Sequence, residues 1–122
     1  MAEEPKDLVD RTCRFATDVR AFVDRLPGSL SDREDARQVV RASGSVAANY
    51  SEAQDGTRRR ESGFRIKVCR KESRESWLWL RLVDVGGDAE LAGEHARLTN
   101  EANELKLIFA AVAGKNGIKG PR

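Results

Sequence analysis

The side chains best placed to do chemistry are two carboxylates, Glu52 and Glu72, and the amide of Asn49. Asn49 and Glu52 stand three positions apart, which puts them on one side of a helix. Glu72 and Glu75 repeat that spacing inside the charged stretch Arg70-Lys71-Glu72-Ser73-Arg74-Glu75-Ser76. Apolar residues flank the stretch on both sides. A buried helical stripe running from Val68 and Cys69 toward Trp79 and Leu82 must pass through Glu72, then Glu75 or Ser76. At least one carboxylate is therefore expected to face the interior. A buried carboxylate without a partner is strongly destabilising, so it requires a donor. The Asn49 amide is the first candidate, with Arg41 or Arg74 as second donors.

Carboxylates inside a helical bundle can hold a di-metal centre, but such sites draw on Glu-x-x-His motifs. The single histidine, His95, directly follows Glu94 and belongs to no such motif. It is expected as a hydrogen-bonded core or interface residue. No serine or cysteine sits in a nucleophile–base pattern, and no glycine-rich phosphate loop is present. The expectation is therefore no enzyme, no metal and no cofactor. Asn49, Glu52, Glu72, Arg74 and Glu75 are read as a polar structural layer that sets helix register. The alternative is a ligand- or metal-binding bundle, or an enzyme, that uses Glu52 and Glu72.

A second kind of chemistry is available to the cations. Arg58-Arg59-Arg60, followed by Arg65 and Lys67, form a basic segment, and guanidinium groups match phosphate oxygens in bidentate fashion. These five residues are the candidate nucleic-acid contacts, against the plainer reading of a solvated basic loop. No aromatic residue is interleaved with the three arginines, which disfavours a single-strand stacking site there. Net charge is only +2, yet residues 54–76 carry eight Lys/Arg against four Asp/Glu, and residues 77–113 carry three against six. Such polarity suits head-to-tail self-association as well as an RNA partner.

Four amphipathic segments must position these groups. Leu8, Val9, Phe15, Ala16, Val19, Phe22, Val23 and Leu26 recur at three- and four-residue steps and predict a helix over about 6–26, closed by Pro27-Gly28. The second helix is expected over 32–54, capped by Ser31 or Asp32. Its stripe is Ala36, Val39, Ser43, Val46 and Tyr50. Gly44 in its interior costs about 1 kcal/mol relative to alanine, and close approach of another backbone is the expected reason. Asp55-Gly56-Thr57 is a turn signal. The third helix is expected over 60–85, ended by Gly86-Gly87. The fourth is expected over 88–113, capped by Asp88, with Leu91, His95, Leu98, Ala102, Leu105, Phe109 and Val112 as its stripe. Residues 114–122 read as a flexible basic tail. With no strand signal and only short connections, the fold class is all-α, an antiparallel up-down-up-down four-helix bundle in one domain.

Trp77 and Trp79 lie two positions apart and cannot share a helix face, so Trp79 is assigned to the core and Trp77 to a subunit interface. Hydrophobic content of 39% with 34% charged residues fits amphipathic helices. No apolar run approaches the roughly 20 residues that span a bilayer. The acidic start, Met1-Ala2-Glu3-Glu4-Pro5, lacks the apolar segment of a secretory signal. A cytoplasmic protein is expected, with no membrane partner and with Cys13 and Cys69 reduced and buried.

Three stretches carry a family likeness. Gln38 to Ala53 is similar to a pattern of Arg, small residues, Ser, an aliphatic, two more residues, Asn, and Glu after two further positions. Lys71 to Leu82 resembles a Lys-Glu-Ala-Arg-Glu-Thr helix that leads into aromatics and leucines, and Glu101-Ala102-Asn103-Glu104-Leu105 resembles a last-helix pattern. Together they resemble the four-helix-bundle family that includes the proteins encoded by intervening sequences in bacterial 23S ribosomal RNA genes. Ala47, Gly63 and Arg70 depart from the pattern; Asn49, Glu52, Glu72 and Glu75 do not. The resemblance implies a four-helix bundle, a homo-oligomer with a pentameric ring favoured, and kinship with retroelement accessory proteins that associate with RNA and reverse transcriptase. It implies no reaction. The function expected is a non-catalytic interaction or scaffold protein that contacts RNA, or an enzyme acting on nucleic acid, through a basic surface.

Overall fold

The computed structural model describes residues 5–55 and 58–115. Four helices follow one another: α1 (Pro5–Val23), α2 (Leu30–Gln54), α3 (Arg59–Leu82) and α4 (Ala89–Lys115). α1 packs on α2 and α4, α3 packs on α2 and α4, and the diagonal helices meet only through side chains that reach across the core, as Tyr50 of α2 reaches Phe109 of α4. That is the four-helix bundle expected from periodicity. No strand occurs among the described residues, and no helix among them is long and apolar enough to cross a membrane. Met1–Glu4, Gly56-Thr57 and residues 116–122 lie outside the described residues. With them lie the acidic start, most of the 55–57 turn and most of the expected tail; Gly114 and Lys115 belong to α4.

Each helix buries one stripe. Leu8, Thr12, Phe15, Val19 and Phe22 come from α1; Val39, Ala42, Val46 and Tyr50 from α2; Ile66, Cys69 and Leu80 from α3; Leu91, Leu98, Ala102, Leu105 and Phe109 from α4. Tyr50 and Phe109 pack ring to ring at 5.5 Å, and Phe22 stacks on His95 at 5.8 Å. The seam between α1 and α4 is closed by ion pairs. Arg11 grips Glu101 through two bonds of 2.7 and 2.8 Å and reaches Glu104 as well, and Arg97 joins Asp18 at 2.9 Å.

The helix ends differ from expectation for local reasons. α1 stops at Val23 rather than Leu26, because Arg25 and Leu26 donate their N–H groups three residues back, to Phe22 and Val23, and tighten the chain into a turn. Gly28 then takes φ +91°, a left-handed conformation that glycine adopts without a Cβ penalty. α2 starts two residues early. Its cap is Ser29, whose Oγ accepts the Asp32 N–H at 3.1 Å, not Ser31 or Asp32. The Asp32 carboxylate is instead buried and accepts the Asp84 backbone N–H at 3.0 Å. That bond ties the start of α2 to the end of α3. It accounts for α3 stopping at Leu82: the Asp84 N–H goes to α2, so the helix ladder cannot continue through it. The Leu80 carbonyl that is left over is met by His95 Nε2 from α4, and Val83 turns extended with its side chain buried. Asp88 caps α4 as expected, accepting the Leu91 N–H at 3.0 Å.

Gly44 does not admit another backbone. A Cβ built there would meet only the Arg20 guanidinium, at 3.2 Å. That group ends a flexible, exposed side chain, which also donates to the Ala16 carbonyl. Gly44→Ala is therefore expected to stabilise the bundle by up to about 1 kcal/mol, the difference in helix propensity. Chemical denaturation of the two proteins measures it, and a loss of stability would restore the close-approach explanation.

Candidate nucleic-acid interface and the α2–α3 polar contacts

The seam between α2 and α3 holds most of the polar groups singled out above. Contacts across it pair Arg41 with Glu72, Val46 with Cys69, Asn49 with Arg65, and Ala53 with Ser62. One antiparallel register generates all four, since the paired positions sum to 113–115. Glu72 lies seven residues along α3 from the level of Asn49, about 10 Å at 1.5 Å per residue. The expected Asn49–Glu72 bond is therefore absent. Asn49 Nδ2 donates to the carbonyl and the hydroxyl of Ser45, and its Oδ1 accepts from Arg65 at 3.0 Å. Glu72 is buried and accepts from Arg41 at 3.3 Å, while Glu75 accepts from the same guanidinium at 2.9 Å. Of the two second donors, Arg41 fills the role; Arg74 is exposed and makes no hydrogen bond or ion pair among the described residues. Glu52 is also exposed, and in register it stands ten residues from Glu72, about 15 Å along the seam. The single layer resolves into two clusters, Ser45–Asn49–Arg65 and Arg41–Glu72–Glu75. Glu52 and Glu72 form no common site.

Arg41 spans two carboxylates that lie three residues apart, a geometry only a forked cation provides. Removing it strands a carboxylate whose side chain is 9% exposed. Arg41→Ala is expected to lower stability by about 1–3 kcal/mol, with Arg41→Lys recovering part of the loss. Equilibrium unfolding in urea checks this.

The two cysteines divide. Cys69 is buried with its Sγ 3.6 Å from the Val46 carbonyl, and burial pushes its thiol up to about 12. Cys13, expected to be buried, is exposed, because it falls outside the α1 stripe Thr12–Phe15–Val19. A thiol reagent at pH 8 is expected to titrate one thiol in the native protein and two after denaturation. Two fast thiols in the native state would contradict the packing of α3 on α2. Burial also raises the Tyr50 hydroxyl to about 12, with Cys69 adding to the effect. Asp35 is buried on α2, and its carboxyl lies above its ordinary range through desolvation, then through the charges of Asp32 and Glu34.

Both tryptophans pack partly buried against the core, so the division into one core ring and one surface ring is less sharp than expected. Trp79 has its indole N–H buried without an acceptor among the described residues. Trp77 lies beneath two cations, the Arg81 guanidinium 4.7 Å and the Lys106 ammonium 5.1 Å from its ring centre. Among the described residues no group of three or more His, Cys, Asp or Glu is placed to hold a metal.

The cations form a longer surface than sequence reasoning selected. Arg58, Arg59, Arg60 and Lys67 are exposed, whereas Arg65 is turned into the seam by Asn49. From Arg60 the outer face of α3 continues through Phe64, Lys67, Lys71, Arg74, Leu78 and Arg81, all exposed, at alternating four- and three-residue steps. Five cations and two apolar side chains thus share one stripe, roughly 30 Å long and without a carboxylate. Arg74, expected inside as a second donor to the buried carboxylate, and Lys71, not among the five candidate contacts, are both surface cations. The four–three step from Lys67 was the signal that places them outside.

No family model and no curated protein matches the chain. A solved structure does: a protein of unknown function from the S23 ribosomal protein family of Bacteroides thetaiotaomicron, with a TM-score of 0.71 and 19% identity over 87% of this chain and 97% of that one. At that identity the likeness is one of fold, and the chain shares the four-helix architecture of an S23 ribosomal protein family member.

Proposed function

We propose that this chain is a non-catalytic, homo-oligomeric scaffold that docks on RNA through the outer face of α3. The observation that carries the reading is the acid-free stripe from Arg60 to Arg81, where Lys67, Lys71 and Arg74 stand in a line that a phosphate backbone can follow. Elsewhere Arg11, Arg25, Arg37, Arg41 and Arg97 are paired with carboxylates. The polar clusters of the α2–α3 seam fix register and leave the cations of the outer face of α3 exposed, with only a surface pair of 3.8 Å between Lys71 and Glu75 among Lys67, Lys71 and Arg74. Self-association is the second part of the proposal, with a pentameric ring favoured by the family resemblance. Leu30, Leu82 and Leu107 are each more than half exposed and offer apolar area for it.

The two parts are tested separately. Light scattering on the purified chain is expected to return five times the mass of one chain, and a monomer would remove the ring. Fluorescence anisotropy with a labelled structured RNA at low salt is expected to show binding that weakens as salt rises. Absence of binding at low salt would remove the RNA contact and leave the scaffold alone.

A further inference from the structure

Between α3 and α4 lies an open cleft of about 560 Å³, lined by Trp77, Arg81, His95, Thr99, Asn100 and Asn103. Its volume is that of a small-molecule site. No carboxylate lines it. Arg81 and Lys106, the two cations over Trp77, make no ion pair among the described residues, and the Asn100 and Asn103 amides make no side-chain hydrogen bond there. His95 is a fixed wall, stacked on Phe22 and bonded through Nε2 to the Leu80 carbonyl. Thr99 spends its hydroxyl proton on the His95 carbonyl at 2.7 Å. The groups left to meet a ligand are therefore one indole, two amides and two cations.

That set matches a planar ring with hydrogen-bonding edges and an attached anion. We infer that the cleft is a nucleotide subsite. A nucleobase stacks on Trp77, its edge meets the Asn100 and Asn103 amides, and Arg81 and Lys106 take the attached phosphate. Cation–π contacts at exposed sites are weaker than base–aromatic stacking, so a base displaces a cation from the ring, and the displaced side chain stays within reach of the phosphate. Arg81 also ends the outer stripe of α3, so a strand following the stripe arrives at the cleft. The inference rests on the RNA reading above and narrows it. A base paired in a duplex cannot enter, so the ligand is an unpaired nucleotide, either within a strand or free.

Tryptophan fluorescence of the full chain, titrated with a single-stranded 12-nucleotide RNA and separately with AMP, tests it. Quenching is expected, together with a roughly tenfold loss of affinity for the quenching ligand in Trp77→Leu. Asn100→Ala/Asn103→Ala leaves the indole in place and keeps the test valid if the Trp77 variant does not fold. It is expected to weaken binding several-fold. Quenching by the RNA alone assigns the site to a strand, and quenching by AMP as well assigns it to a nucleotide from either source. RNA binding without quenching, unchanged in both variants, overturns the cleft and leaves the α3 stripe standing. No RNA binding together with quenching by AMP overturns the stripe and keeps the cleft. Silence toward both ligands overturns both.

Discussion

Replacing Lys67, Lys71 and Arg74 together by alanine is expected to lower RNA affinity by about 10–100-fold near 0.1 M salt. Each phosphate neutralised by a cation releases counterions, so losing three contacts also flattens the dependence of log affinity on log salt by about 2–3. The loss is expected to be similar across RNA sequences, because contacts to phosphate position a nucleic acid without reading it. These side chains can be removed without harm to the fold. All three are exposed, and the one ion pair among them, Lys71 to Glu75, spans 3.8 Å on the surface. Stability should therefore change by less than about 0.5 kcal/mol, which thermal melting monitors in parallel. Anisotropy titrations at four or five salt concentrations give affinity and slope together. A triple variant that binds like the parent, with the same slope, would move the RNA contact off α3. Alanine at Arg58, Arg59 and Arg60 is the natural comparison, since that cluster sits at the end of the stripe rather than along it.

Phe109→Ala is expected to cost about 3–5 kcal/mol of folding stability. The ring is fully buried on α4 and packs against Tyr50 of α2, so its removal opens a cavity between helices that cannot collapse without moving their backbones. Total stabilities of about 5–15 kcal/mol leave little margin for such a loss. Urea denaturation at 25 °C measures the change directly. The comparison with Arg41→Ala is informative. If Phe109 costs more, the apolar stripes hold the bundle and the polar clusters choose its register. A cost below about 1 kcal/mol at Phe109 would mean that the C-terminal half of α4 is not packed into the core.

How much of this was legible beforehand follows from what a helical period encodes. Three- and four-residue spacing specifies the angular position of a side chain on its own helix. It therefore delivered the four helices, the buried stripes, the burial of Glu72 and the bundle itself. Local capping chemistry delivered Asp88 in the same way. Nothing in the period states how far one helix slides along another. The pairing of Asn49 with Arg65, and of Arg41 with Glu72 and Glu75, depends on that axial register, and the expected Asn49–Glu72 bond missed by about two turns. The helix ends hold to the same register as the polar clusters. Ser29 starts α2 early, and Asp32 holds the Asp84 N–H and stops α3 early.

The same division explains the remaining differences at the candidate sites. Sequence alone established that α3 is rich in cations and that its two tryptophans cannot share a face. The four–three step places Lys71 and Arg74 outside, and only the tertiary structure decided that Arg65 does not join them. Arg65 is withdrawn by Asn49 across the seam, whereas Lys71 and Arg74 are left on the outer stripe. Only the packing of α4 against α3 placed Asn100, Asn103 and Lys106 around Trp77, residues that lie 23–29 positions away along the chain. Spacing within a helix is local information carried by covalent geometry. Which groups converge between helices is determined by how their buried stripes interlock, and that interlocking exists only once the chain has folded.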